Sequence, residues 1–282
     1  MITASQQLDP RDSVLFSCDQ QKGNDLSIQV IPTVRCDMIL TGSSGCRDEV
    51  TAAMQMKSTS VDGDWRVSTG DVRCTCSEQV TAIMLRFFPD WLTDRLAEVK
   101  SRYDLRSVMM LHIGCEASSF PFINLDESLI RFLLSTDTEL ILSVSEGDGA
   151  LDDYAVRLRL NMSGHDLAFD KIEEYTGKTP WFKRRRADFP ISAQNITEDT
   201  WIYRTEAFPV CELNERASTF YNGLSDKRLA EDVPFEKCSL ELNIYVADGI
   251  SFESAIPAGL LRLASELSAQ IWVGRYAEDQ PE

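Results

Sequence analysis

The sequence predicts an α+β fold made of two tandem, pseudo-symmetric repeats. Each repeat is read as a mostly antiparallel sheet with helices packed on one face. Three matches between the halves predict this. Val34–Gly42 (VRCDMILTG) parallels Val156–Gly164 (VRLRLNMSG). The stretch opening at Trp65 (WRVST) parallels the one opening at Trp201 (WIYRT). Leu111–Glu146 runs beside Leu242–Ala277 without a gap, with Arg131 facing Arg262. A unit this long exceeds the ~20–50 residues of a solenoid repeat and reads as a globular domain used twice. The expected organisation is an N-terminal addition over 1–33, repeat one over 34–146, a linker over 147–154 and repeat two over 155–282.

The elements follow in order. Ser13–Ser17 and Leu26–Ile31 read as short strands joined by the turn-like Gln21–Asp25, an added hairpin with no counterpart in the second half. Arg35–Leu40 is a strand ended by Gly42. Arg47–Met56 is helical, with Asp48 and Glu49 in the first turn, where negative charge suits the dipole. Asp62-Gly63-Asp64 turns into the strand from Trp65 to Ser68. Ser77–Phe88 places Val80, Ile83, Met84 and Phe87 at helical spacing. After Pro89, Trp91–Tyr103 is a further helix with Leu92, Leu96 and Val99 on one face. Val108–Cys115 is an apolar strand. Asn124 or Asp126 caps a helix to Leu134, and Leu140–Val144 closes the repeat.

Gly147-Asp148-Gly149 breaks the pattern. The second repeat then offers the strand Val156–Met162, the helix Phe169–Thr176 and a long loop carrying Pro180, Pro190 and the basic run Lys183–Arg186. The strand Trp201–Thr205, the helix Glu212–Leu224, the strand Ser239–Val246, the helix Pro257–Leu267 and the strand Gln270–Gly274 complete it. Trp65 and Trp201 are expected as core anchors of equivalent strands.

Laid out this way, the chain resembles the bacterial domain of unknown function 4279 family over residues 34–146 and 155–278. The residues that carry this are Val156–Gly164, the helix ending in Thr176-Gly177-Lys178-Thr179-Pro180, the Trp201 strand and Leu260–Tyr276. The first half departs, with Ser58-Thr59-Ser60 in place of the Gly-x-x-Pro element and Ser145 where the second has Tyr276. The resemblance implies a compact α+β bacterial domain and no catalytic residues. Some members look like immunity proteins of toxin systems.

Composition limits the partners. The formal net charge is −17, with 45 acidic and 28 basic residues, and both halves share the excess. Such a surface disfavours nucleic-acid phosphate and anionic lipid and favours basic partners. No apolar run reaches the ~18–20 residues of a membrane helix, and the polar Met1–Arg11 stretch is not a signal peptide. With eight scattered cysteines and no C-x-x-C pair, the thiols read as buried and the protein as cytoplasmic.

Catalytic patterns are absent. There is no phosphate-binding glycine motif. Of the two histidines, His112 reads as a core residue and His165 as a turn residue, so neither a histidine-based triad nor a zinc site is expected. Cys74-Thr75-Cys76 puts two thiols on one strand face but lacks a second ligand pair. Acid pairs such as Glu173-Glu174 read as solvated. No catalytic residue, cofactor or metal is therefore expected. The sharpest anomaly is Trp181-Phe182-Lys183-Arg184-Arg185-Arg186, two aromatics and four cations in an acidic chain, which is the candidate partner-binding segment. Internal pairing or simple solvation of its charges is the competing expectation. The expected function is a non-enzymatic interaction protein, most concretely an immunity protein that neutralises a basic protein toxin. The alternative is a small-molecule-binding protein or hydrolase with its site between the repeats.

Overall fold

The computed structural model describes residues 32–60, 63–74, 76–86, 90–115, 123–145, 149–150, 154–189, 197–247 and 249–276. The expected N-terminal hairpin and most of the expected linker lie outside these residues.

The first repeat begins with β1 (Thr33–Thr41), α1 (Arg47–Met54), β2 (Trp65–Ser68) and β3 (Val72–Arg73). It continues through α2 (Ser77–Arg86), α3 (Asp90–Tyr103), β4 (Arg106–Gly114), β5 (Ile123–Leu125), α4 (Glu127–Ser135) and β6 (Thr138–Ser145). After the short β7 (Gly149–Ala150) come β8 (Ala155–Gly164), α5 (Phe169–Thr176), β9 (Phe182–Arg184), β10 (Asp199–Arg204) and β11 (Phe208–Pro209). The chain ends through α6 (Leu213–Leu224), α7 (Lys227–Asp232), β12 (Lys237–Tyr245), β13 (Ile250–Ile256), α8 (Ala258–Glu266) and β14 (Gln270–Tyr276).

Two seven-stranded sheets result. The first runs β2-β1-β4-β6-β13-β7 with β3 also on β1, and the second runs β5-β14-β12-β8-β10-β9 with β11 also on β8. Alternation explains the faces. On β8, Val156, Leu158, Leu160 and Met162 are fully buried, while the alternating Arg157, Arg159, Asn161 and Ser163 face the other way. Each fully buried aliphatic side chain contributes about 1.5–3 kcal/mol relative to exposure. The buried rows of both sheets and the apolar stripes of the helices join in one continuous core cluster.

The pseudo-symmetry holds register by register. Trp65 pairs with Leu40 and Trp201 with Met162, equivalent positions of the matched first strands, and both indoles are buried. Antiparallel β1–β4 aligns Val34 with Ile113, and β8–β12 aligns Val156 with Ile244. Each sheet also contains one long parallel pair, β4–β6 and β12–β14, which align Leu111 with Leu142 and Leu242 with Val273.

The repeats are interlocked rather than merely adjacent. β5, from the first half of the chain, adds antiparallel to β14, pairing Ile123 with Val273. Its counterpart β13, from the second half, adds antiparallel to β6, pairing Ser254 with Leu142. Ile123 and Ser254 are matched positions of the ungapped alignment, so the two strands are exchanged reciprocally. The helices that follow them, α4 and α8, pack against each other.

Several local expectations are corrected. Asp126, not Asn124, caps α4: its Oδ1 accepts the Leu129 amide at 2.9 Å, while Asn124 lies within β5. The 47–56 helix ends at Met54, because Gln55 takes a left-handed backbone at φ 54°. The segment read as a loop around the basic run contains the edge strand β9. Cys74 follows β3 rather than lying in it, so the two thiols do not share a strand. His112 lies on the half-buried face of β4 away from the core.

Candidate functional site

The candidate segment is positioned by the elements on either side. β8 ends at Gly164, where a Cβ would come within 2.9 Å of the Glu236 backbone nitrogen, so only glycine allows the close crossing. Helix α5 then ends at Gly177, whose left-handed backbone (φ 61°) lets its N–H bond the Glu173 carbonyl at 2.9 Å. The chain turns outward and rejoins the sheet: the Trp181 N–H donates to the Ile202 carbonyl at 2.9 Å. β9 then lies antiparallel to β10, with Phe182 opposite Ile202 and Arg184 opposite Thr200.

This path leaves the aromatics outside. Trp181 is 47% exposed and Phe182 39%; with Phe189 they make up three of the four exposed large hydrophobics among the described residues. Cations frame the indole. The Arg204 guanidinium lies 3.7 Å from the centre of the Trp181 ring and that of Arg159 lies 5.8 Å from it, distances at which the ring quadrupole attracts a cation.

The basic run is largely committed to the fold. Lys183 Nζ bonds Glu173 at 2.8 Å. Arg185 lies 4.3 Å from the Phe169 ring centre, 3.2 Å from the Leu167 carbonyl and 3.5 Å from Asp199. The Arg186 backbone N–H donates to buried Asp199 at 2.6 Å, and its side chain donates to the Phe189 carbonyl at 3.0 Å. Arg184 donates to the Thr200 hydroxyl at 3.3 Å. The structure thus brings Trp181 and Phe182 to the surface and pairs much of the Lys183–Arg186 charge with groups of the chain itself, Lys183 remaining exposed.

Sequence reasoning missed two polar clusters on the sheet faces opposite the core. On the second sheet, Arg159 Nε donates to Asn161 Oδ1 at 2.8 Å, Arg159 Nη1 lies 3.4 Å from Glu241, and Asn161 Nδ2 donates to the other Glu241 oxygen. On the first sheet, fully buried Asp37 receives the Arg66 guanidinium, the Arg35 Nε at 3.2 Å and a close but poorly aligned approach of His112 Nε2 at 2.9 Å. Burial would raise the Asp37 carboxyl, but hydrogen bonds from Arg66 and Ser68 and the charges of Arg66 and Arg35 hold it below the usual carboxylate range. Burial and the Arg35 charge push His112 below the ordinary imidazole value against the pull of Asp37. The signal for both clusters was present: charged residues at alternate positions of otherwise apolar strands, at matched places in the repeats. Asp37 aligns with Arg159 and His112 with Asn243.

His165 is exposed beyond Gly164, its Nδ1 2.5 Å from Glu236, whose hydrogen bond and charge raise its pKa. A groove of about 650 Å³ runs between the β4–β6 end and the start of α8. No histidine or cysteine lines it. Three of its polar groups are engaged: Ser107 bonds Thr138 at 2.8 Å, Thr138 bonds neighbouring Thr136 at 2.7 Å, and Lys100 donates to the Thr136 carbonyl at 2.6 Å. Burial pushes the Cys74 thiol up to about 11 and that of Cys238 up to about 12, far from the thiolate that redox or nucleophilic chemistry needs. Among the described residues no cluster of His, Cys, Asp or Glu could hold a metal ion, and no helix is long and apolar enough to cross a membrane. The chain matches no protein-family model, no curated protein and no solved structure.

Proposed function

We propose that the chain is a non-enzymatic interaction protein, an immunity protein of the cytoplasm that binds and neutralises a basic protein toxin. The observation that carries this is the exposed Trp181–Phe182 pair framed by Arg159 and Arg204. Tryptophan and arginine are the residue types that most often dominate binding energy at protein interfaces. The net charge of −17 supplies the second half of the argument. It steers a basic partner from a distance, while the aromatic pair provides the short-range contact that holds it. The pairing of Lys183 with Glu173 and of Arg185 with Asp199 supports a fixed platform for the two rings.

The test is binding kinetics with the purified product of the adjacent gene. Association should slow by about tenfold or more from low to high salt, with dissociation changing much less. Trp181→Ala should speed dissociation by about thirtyfold, the mark of an interface hot spot. An association rate flat in salt, or a cognate partner that is itself strongly acidic, would overturn the reading.

A further inference from the structure

Trp272, Gly274 and Tyr276 alternate along β14 and so leave the same face of the second sheet. The glycine opens a gap one side chain wide between two aromatic ones. Gly274 is paired across the ladder with Asn243 of β12, so Asn243 forms the floor of that gap. With Glu241 and Arg159 at one end, these residues line a cleft of about 310 Å³.

The floor residue is a buried amide. Asn243 is 1% exposed, and its Nδ2 has no hydrogen-bond partner. Turning the amide over would leave its oxygen in the same position instead. A buried amide without a partner is a standing cost to the fold, and native proteins rarely keep one without a reason. The first repeat has no such gap. There the matched positions carry Ile141, Ser143 and Ser145 over His112, whose Nε2 lies 2.9 Å from Asp37 without a well-aligned hydrogen bond.

We infer that the cleft over Asn243 is a binding site for a neutral carboxamide carried on a flat ring. The charges in the wall decide the class of guest. Glu241 and Arg159 already face each other, and Asn161 bridges them. A carboxylate or an ammonium entering the cleft would lose its water and find the opposite charge taken. A neutral amide escapes that penalty. Its carbonyl accepts from Asn243, and its ring lies between Trp272 and Tyr276, where flat faces stack. The cleft adjoins the Trp181 surface at Arg159, which lines the one and frames the other, but its assignment does not rest on the interaction reading.

Three probes with one ring and different head groups test this: benzamide, benzoate and benzylamine, each titrated into the whole isotope-labelled protein and followed by NMR. Benzamide should bind with a dissociation constant on the order of 1 mM, fitting so small a ligand, and the two charged probes at least about tenfold more weakly. The Trp272 indole and Asn243 side-chain amide resonances should move with benzamide. Asn243→Leu removes the unpartnered amide and keeps the number and branching of the side-chain heavy atoms, with a somewhat larger volume facing the open cleft. It should be as stable as the parent or more so, yet lose benzamide binding by about tenfold or more, the scale on which a lost polar contact is felt. A purely structural Asn243 would give the reverse, lower stability with binding unchanged. If that variant does not fold, the parent titration decides alone. No saturable shift at those two residues by about 20 mM benzamide, well above the expected constant, would overturn the site. So would benzoate or benzylamine binding as tightly as benzamide.

Discussion

Asp37 and His112 show how a buried charge cluster sets a dependence on acidity. His112 is held below the ordinary imidazole value, so it is neutral in the folded protein where the unfolded chain would take a proton. Stability falls with acidification wherever the unfolded state binds more protons, so this part should fall as pH drops below about 6.5. Asp37 acts in the same direction at lower pH. Its carboxyl is depressed, so its contribution is present above about 3.9 and is lost as pH falls through the folded value. His165 opposes them: its raised value makes its contribution full below the ordinary pKa and lost as pH rises through the folded one. With two histidines in the chain, the contributions separate cleanly. His112→Gln should flatten the stability profile between pH 7.5 and 5, and His165→Gln should steepen it. Urea unfolding across that range measures both, and a His112→Gln profile parallel to the parent would show that His112 is not held neutral. Neither substitution should act by removing a catalytic base.

At the scale of elements, α4 and α8 occupy matched places but begin differently. Asp126 caps α4 through the Leu129 amide, whereas α8 starts at Pro257 with no side-chain cap. Gly259 of α8 has instead been fitted to α6, since a Cβ there would lie 3.1 Å from the Ala217 carbonyl oxygen. Asp126→Ala should therefore cost about 1 kcal/mol, the usual worth of an N-cap, read as a lower urea midpoint with an unchanged slope. The long elements were legible because their periodicity is strong: the β1, β4, β8 and β12 rows and the α4 and α8 stripes all read directly from spacing. β5 was not, because three residues cannot display alternation. β13 went unassigned for another reason: Ser254 interrupts its inward row, and only pairing with β6 makes Phe252 and Ile256 core residues. Trp181–Arg186 was singled out by composition, but its conformation was misread. Four cations suggest a solvated loop, and nothing local reveals that Glu173 and Asp199 wait to receive them. The cleft over Asn243 could not be read at all, since it depends on which residue lies across the ladder from Gly274.

The whole molecule turns on the exchange of β5 and β13. Sequence periodicity tells which face of a strand is buried, not which neighbour it joins, so two matched halves look like two separable domains. In the structure each sheet contains a strand supplied by the other half, and one apolar core runs through both. Removing either half would strip a strand from the other sheet and expose the edge of β6 or β14, together with the apolar contact between α4 and α8. An unpaired edge beside exposed apolar surface favours aggregation over independent folding. Cutting the covalent link between the halves removes none of these contacts; it makes folding a bimolecular step whose midpoint depends on the concentration of the halves. The chain should therefore unfold in a single urea transition, with a slope proportional to the surface of the whole protein rather than of one half. Expressed as two chains, 1–150 and 151–282, with a tag on the first alone, the halves should co-purify in equal amounts and show that same single transition. Each half produced alone should give no cooperative transition. Two resolved transitions in the intact chain, or a tagged half that folds cooperatively without its partner, would show that the exchanged strands contribute little to the coupling and that the repeats are independent units after all.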